Sequence, residues 1–204
     1  WEEKAPVSLA RGAFDGAEVL GGKIYFVGGS DGSAYNIAER YDPVTNTWEI
    51  LPSMSAPRSG VSSAVLDGKL YAIGGLGLSS VEVFSSSEDT WTTGLNLPSE
   101  VLMGEAITVA GKIYLMGGFI LSDNQILNQV LCFDLSTNQW SAKADMPTAR
   151  YGHKLVWFES RIWAIGGYNS VAVLSKVESY DLSSNSWQDE ASLTSTRHVP
   201  TAWV

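Results

Sequence analysis

Lys-Leu-Tyr-Ala-Ile-Gly-Gly, residues Lys69–Gly75, is a short apolar run closed by two glycines, the pattern of a buried strand running into a turn. It returns as Lys23–Gly29 (Lys-Ile-Tyr-Phe-Val-Gly-Gly), Lys112–Gly118 (Lys-Ile-Tyr-Leu-Met-Gly-Gly) and Arg161–Gly167 (Arg-Ile-Trp-Ala-Ile-Gly-Gly). Four copies within 204 residues define a repeat protein, to be read unit by unit. Trp1, Trp48, Trp91, Trp140 and Trp187 lie 47, 43, 49 and 47 residues apart, and each Gly-Gly pair begins 26 or 27 residues after a Trp. An aromatic stands seven residues before each later Trp: Tyr41, Phe84, Phe133 and Tyr180. Ten residues after a Trp comes Arg11, Arg58, Arg150 or Arg197, and only Val101 departs from that series.

Gly-Gly, then Glu-x-Tyr-Asp-Pro-x-Thr-x-x-Trp, then a proline leading to Arg, resembles the kelch repeat of β-propellers. The first unit carries it almost whole in Gly28-Gly29, Glu39–Trp48 and Pro52 to Arg58. The likeness runs over essentially the whole chain and implies an all-β kelch propeller of four-stranded antiparallel blades. Elementary physics points the same way. A four-stranded unit of this size cannot bury both faces alone, whereas radial packing covers each sheet with its neighbour.

The expected units are 13–59, 60–102, 103–151 and 152–198 as four complete blades. Residues 1–12 end a preceding unit and 199–204 begin a further one. Strands are expected near 13–20, 23–29, 36–42 and 46–50, with the same pattern repeated through 173–181 and 185–189 in the last blade. A piece of a larger ring is the preferred reading, ahead of a closed four-bladed ring or of two chains completing one ring. An unclosed ring would expose two blade faces and favour self-association.

A formal net charge of -9 argues against nucleic acid and anionic membranes as partners. The single cysteine, Cys132, excludes an internal disulfide and fits a reducing, cytoplasmic location. No catalytic constellation is visible, so neither an enzyme nor a cofactor is expected. His153 and His198 fall at different repeat positions, which disfavours copper chemistry of the kind found in one kelch oxidase. Cys132 reads as a buried small thiol.

Function is expected at the end where each Gly-Gly loop meets the inter-blade connector. These loops differ most in length between units and carry Tyr35, Phe119, Asn124, Tyr168 and Asn169. Arg11, Arg58, Arg150 and Arg197 enter at the same end. They are candidates for gripping a carboxylate or phosphate around a channel mouth, or for pairing with Glu39, Glu82 and Glu178 at their own blade edges. The kelch resemblance implies the former, an acidic peptide held as in ubiquitin-ligase adaptors. The alternative reading is a propeller that binds or processes sugars, similar to a sialic-acid mutarotase.

Overall fold

The structure, a computed structural model, describes residues 2–12 and 17–199. Trp1 and the strand expected at 199–204 therefore lie outside the described residues, save Val199. Among the described residues there is no helix, and four antiparallel four-stranded sheets follow one another along the chain. Blade 1 holds β1 (Ala17–Leu20), β2 (Lys23–Val27), β3 (Ala38–Asp42) and β4 (Thr47–Ile50). Blade 2 holds β5 (Ser62–Leu66), β6 (Lys69–Ile73), β7 (Val81–Ser85) and β8 (Thr90–Thr93).

Blade 3 is built from β9 (Glu105–Val109), β10 (Lys112–Met116), β13 (Val130–Asp134) and β14 (Gln139–Ala142). Between β10 and β13 the chain forms a small hairpin, β11 (Phe119–Ile120) and β12 (Gln125–Ile126), where the sequence suggested an irregular loop. Phe119 faces the β-branched Ile126 and Ile120 faces Gln125, and Asn124 takes the positive φ of 53° that the reversal needs. Blade 4 is β15 (Lys154–Phe158), β16 (Arg161–Ile165), β17 (Val177–Asp181) and β18 (Ser186–Asp189). Its third strand starts at Val177, four residues later than expected.

The first hairpin of each blade turns on two positive-φ residues: Gly21-Gly22, Asp67-Gly68, Ala110-Gly111 and Glu159-Ser160. That is the type I′ geometry, which matches the twist of paired strands.

Alternation along the second strand sends one set of side chains to the preceding blade and the other to the next. Tyr71 and Ile73 join Ile113, Leu115 and Phe133 in the core between blades 2 and 3. Leu70 and Ala72 join Tyr25, Val27 and Phe84 between blades 1 and 2. Tyr114 and Met116 meet Ile162, Ala164 and Tyr180 between blades 3 and 4. One aromatic contact marks each junction: Tyr25–Phe84 at 6.1 Å, Tyr71–Phe133 at 5.9 Å and Tyr114–Tyr180 at 6.3 Å. The ruler Trp residues pin the outer edge. Trp48, Trp91, Trp140 and Trp187 donate their indole N–H to the carbonyls of Ala5, Pro52, Leu95 and Ala144 in the preceding connector.

The glycine pairs seat the connector of the following blade. The second glycine's N–H donates to a connector carbonyl in every case: Gly29 to Arg58, Gly75 to Val101, Gly118 to Arg150 and Gly167 to Arg197, all at 2.8–2.9 Å. The first glycine lies so close that an added Cβ at Gly28, Gly74 or Gly117 would stand 2.4 Å from that same oxygen. Only glycine permits both the approach and the positive φ.

Candidate functional site

Connectors and post-glycine loops do share one end of the molecule, where short bridges join them: Gly12 with Ser30, Leu102 with Phe119, and Tyr151 with Tyr168. The arginines start at this end and turn inward. Arg58 and Arg150 are 0% exposed. Arg58 donates to the Gly74 carbonyl (2.6 Å), the Ser80 carbonyl (2.8 Å) and Glu82 (2.9 Å). Arg150 repeats this with Gly166 (2.9 Å), Lys176 (3.2 Å) and Glu178 (2.5 Å). Arg11 reaches the Gly28 carbonyl and Glu39 in the same manner, with both side chains buried.

Burial pushes the Glu82 carboxyl up, but the Ser55 N–H and the Arg58 guanidinium outweigh it and hold the group below its ordinary value. The reading of Arg11, Arg58 and Arg150 as an open ring of ligand-binding cations is therefore corrected. Each clamps the third strand of the blade that its connector enters, and its charge is matched inside the protein. Arg197 differs: it is exposed and donates to the Thr196 carbonyl.

The other candidates separate into two groups. Phe119, Asn124 and Tyr168 line one cavity of about 240 Å³ together with Ile126, Tyr151 and Ser170. Phe119 and Tyr151 stand 5.8 Å apart, and Tyr151 meets Tyr168 edge-on at 5.5 Å. The His198 ring closes on Tyr151 at 5.5 Å and on Tyr168 at 6.1 Å. Tyr168 is oriented further by its hydroxyl, which donates to the Ser170 carbonyl. Asn169 instead caps its own turn, its Oδ1 accepting from the N–H groups of Val171 and Ala172. Tyr35 lies on blade 1, bridged to Arg58, and bonding to Asp31 raises its phenol pKa.

Sequence reasoning missed Tyr151 and His198, although each directly follows a flagged arginine. The available signal was variation: the residue after the arginine position reads Gly12, Ser59, Leu102, Tyr151 and His198. A position that varies beside one that repeats points outward.

A second, polar cavity of about 310 Å³ lies along the inner strands β1, β5, β9 and β15. Glu18, Glu105 and Lys154 line it, Lys154 pairing with Glu105 and the Ser63 hydroxyl donating to Glu18 at 3.0 Å. Burial lifts the Glu18 carboxyl to about 7, against the pull of Ser63 and Lys154. No motif announced these residues, because only the ring brings the four strands together.

His153 is buried between blades 3 and 4 with both ring nitrogens lacking a hydrogen-bond partner, and burial followed by the Arg150 charge depresses its pKa to about 3. Burial likewise pushes the Cys132 thiol up. Among the described residues no group of three or more His, Cys, Asp or Glu is placed to hold a metal ion.

The Kelch motif family model matches residues 16–55, 57–97, 104–147 and 149–194. Kelch-like protein 26 of Danio rerio is 34% identical over 161 residues, covering 73% of this chain and 26% of that protein. Kelch-like protein 36 of Bos taurus is 32% identical over 178 residues (82% and 29%). Kelch repeat protein C2 of cowpox virus is 33% identical over 162 residues (76% and 31%). The chain thus spans under a third of the length of these relatives. Among solved structures, the one titled "Structure of YjhT" superposes with a TM-score of 0.81 at 20% identity, covering 96% of this chain and 69% of that one, a likeness of fold alone. Repeat, blade geometry and family match agree, and the chain belongs to the kelch-motif family as a β-propeller of four-stranded antiparallel blades.

Proposed function

We propose that this propeller is a non-catalytic protein-interaction module that grips a partner segment at its loop end, over blades 3 and 4. The observation that carries it is the aromatic cavity of Phe119, Tyr151 and Tyr168, set where loops vary between units on a rigid scaffold. Aromatic side chains lining a concave site are the usual anchors of an interface. An acidic partner was expected from the arginine series. With Arg58 and Arg150 neutralised by Glu82 and Glu178, that preference now rests on Arg197 alone. A place as the substrate-recognition domain of a ubiquitin-ligase adaptor is supported by the kelch resemblance, and the relatives' greater length leaves room for the recruiting domains it requires.

The test is affinity capture from a lysate with the wild-type chain beside Phe119→Ala and Tyr151→Ala, after circular dichroism shows all three folded. Loss of a partner in both variants, with retention by a control altered at the exposed Val44, supports the reading. Retention of every partner by all variants contradicts it.

A second reading is favoured by the polar cavity on the inner strands. Its volume and its Glu18, Glu105 and Lys154 lining suit a hydroxylated small molecule such as a sugar. Calorimetry with free sugars and sialic acid decides it: millimolar binding lost on Glu105→Gln supports the sugar reading, and silence removes it.

A further inference from the structure

We propose that the aromatic cavity on blades 3 and 4 takes a cationic side chain, an arginine or lysine, presented by the partner segment. This rests on the interaction-module reading and names the chemistry of the same site. A volume of about 240 Å³ lies below the range of ordinary small-ligand pockets and suits one inserted side chain. Three aromatic rings, Phe119, Tyr151 and Tyr168, line it beside Asn124, Ile126 and Ser170, and the rings are inclined to one another by 51° and 62° rather than stacked flat. The face of an aromatic ring carries negative potential and attracts a guanidinium or ammonium group.

Charge on the hairpin that supplies part of the lining agrees. The wall formed by the β11–β12 hairpin ends in a tip that carries Asp123 next to Asn124. Glu100 is tied to that tip, accepting from the Ser122 N–H at 2.7 Å, and this bond keeps its carboxyl below the ordinary range. Arg197 is exposed and directly precedes His198, whose ring packs on the cluster. The arginines that would have favoured an anion are matched by buried glutamates. In a chain of net charge -9, the aromatic lining thus adjoins a hairpin tip that carries the Asp123 carboxylate and holds that of Glu100. Electrostatic complementarity then selects a basic segment and repels an acidic one.

The experiment is an NMR titration of the isotope-labelled full chain at fixed ionic strength with three probes: Nα-acetyl-arginine amide, its neutral near-isostere Nα-acetyl-citrulline amide, and Nα-acetyl-glutamate amide. The expected result is saturable shifts at Phe119, Tyr151 and Tyr168 with the arginine probe, and about fivefold weaker binding of the citrulline probe. Tyr168→Leu should abolish the shifts. Glu100→Gln with Asp123→Asn should weaken the arginine probe about threefold, and Arg197→Gln should tighten it by a similar factor.

Equal affinity for arginine and citrulline probes overturns the cation while leaving the loop end as a binding face. Preference for the glutamate probe, weakened by Arg197→Gln, overturns it in favour of an acidic partner. No shift at these residues with any probe overturns both this proposal and the interaction reading on which it rests.

Discussion

Where the chain enters blade 2, Arg58 reaches across to Glu82, and where it enters blade 4, Arg150 reaches Glu178. Where it enters blade 3, Val101 and Leu131 occupy those two places, both buried in a single apolar core. The carboxylate's other partner varies even where the pair is kept: Ser55 offers its N–H to Glu82, whereas ahead of Arg150 that place is Pro147, which has no N–H to offer, and the Thr148 hydroxyl donates to Glu178 instead. The blades are thus natural variants of one another. Blade 3 has exchanged a whole buried ionic unit for an apolar one, and its Gly-Gly still seats the next connector through Gly118 and the Arg150 carbonyl. Physical reasoning expects such an exchange to be tolerated. A buried ion pair gains little over well-packed apolar groups, while half of one is costly.

The comparison can be broken most severely inside blade 3. Val101→Arg alone would bury a guanidinium facing Leu131 and should cost about 4 kcal/mol or more in urea unfolding, with Leu131→Glu restoring much of the loss. A near-neutral Val101→Arg would mean that the junction is open enough for the charge to reach water. In blade 4, Glu178→Leu should cost about 3 kcal/mol by stranding Arg150, and the same change at the exposed Glu49 should cost little.

The His153 position sharpens the contrast through pH. Blade 2 has Val61 there, in its apolar core. The unfolded chain takes up the His153 proton near its ordinary value of 6.5, and the folded chain only near 3. Between those values the unfolded state holds more protons, so stability falls as pH drops, by up to about 1.4 kcal/mol per unit from this one group. Glu18 acts oppositely. Its folded value of about 7 exceeds the ordinary 4.5, so its contribution to stability falls as pH rises through that window. Thermal melts of His153→Val should lose the acid slope, and those of Glu18→Gln should lose the opposing one. An unchanged acid slope in His153→Val would contradict the burial that the structure assigns to the ring.

The smallest effect lies in the hairpin turns. Blades 1, 2 and 3 place glycine at the second positive-φ position, while blade 4 has Ser160, with Glu159 before it. Replacing Glu159-Ser160 with Asn-Gly should stabilise the chain by about 0.5–1 kcal/mol. A loss in calorimetry would show that these side chains hold contacts beyond the turn.

Much of this was legible because spacing alone carries a repeat. The Trp ruler and the Gly-Gly pairs announce strands, turns and blade count without any contact being known. The ionic unit was half legible. Glu39, Glu82 and Glu178 recur before the third-strand aromatic, and the unit that lacks the arginine also lacks the glutamate. That coincidence indicates mutual partners, whereas arginines read by position alone appear to line a mouth. Whether a guanidinium turns outward or inward depends on a carboxylate about 24 residues away, which only the folded register settles. The cavity of Phe119, Tyr151 and Tyr168 draws on two blades, and the Glu18, Glu105 and Lys154 cluster on three. Neither group has a local signature.

The central claim is that the arginine series is an internal clamp, exchangeable as a unit with its glutamate. The most direct measurement is a double-mutant cycle in blade 2, with Arg58→Val, Glu82→Leu and the two combined, read by urea unfolding. Each single change should cost about 3–5 kcal/mol, and the combined variant should lose much less than their sum, a coupling of at least about 2 kcal/mol. Additive losses, or a harmless Arg58→Val that abolishes partner binding instead, would contradict the clamp and return Arg58 to the binding surface.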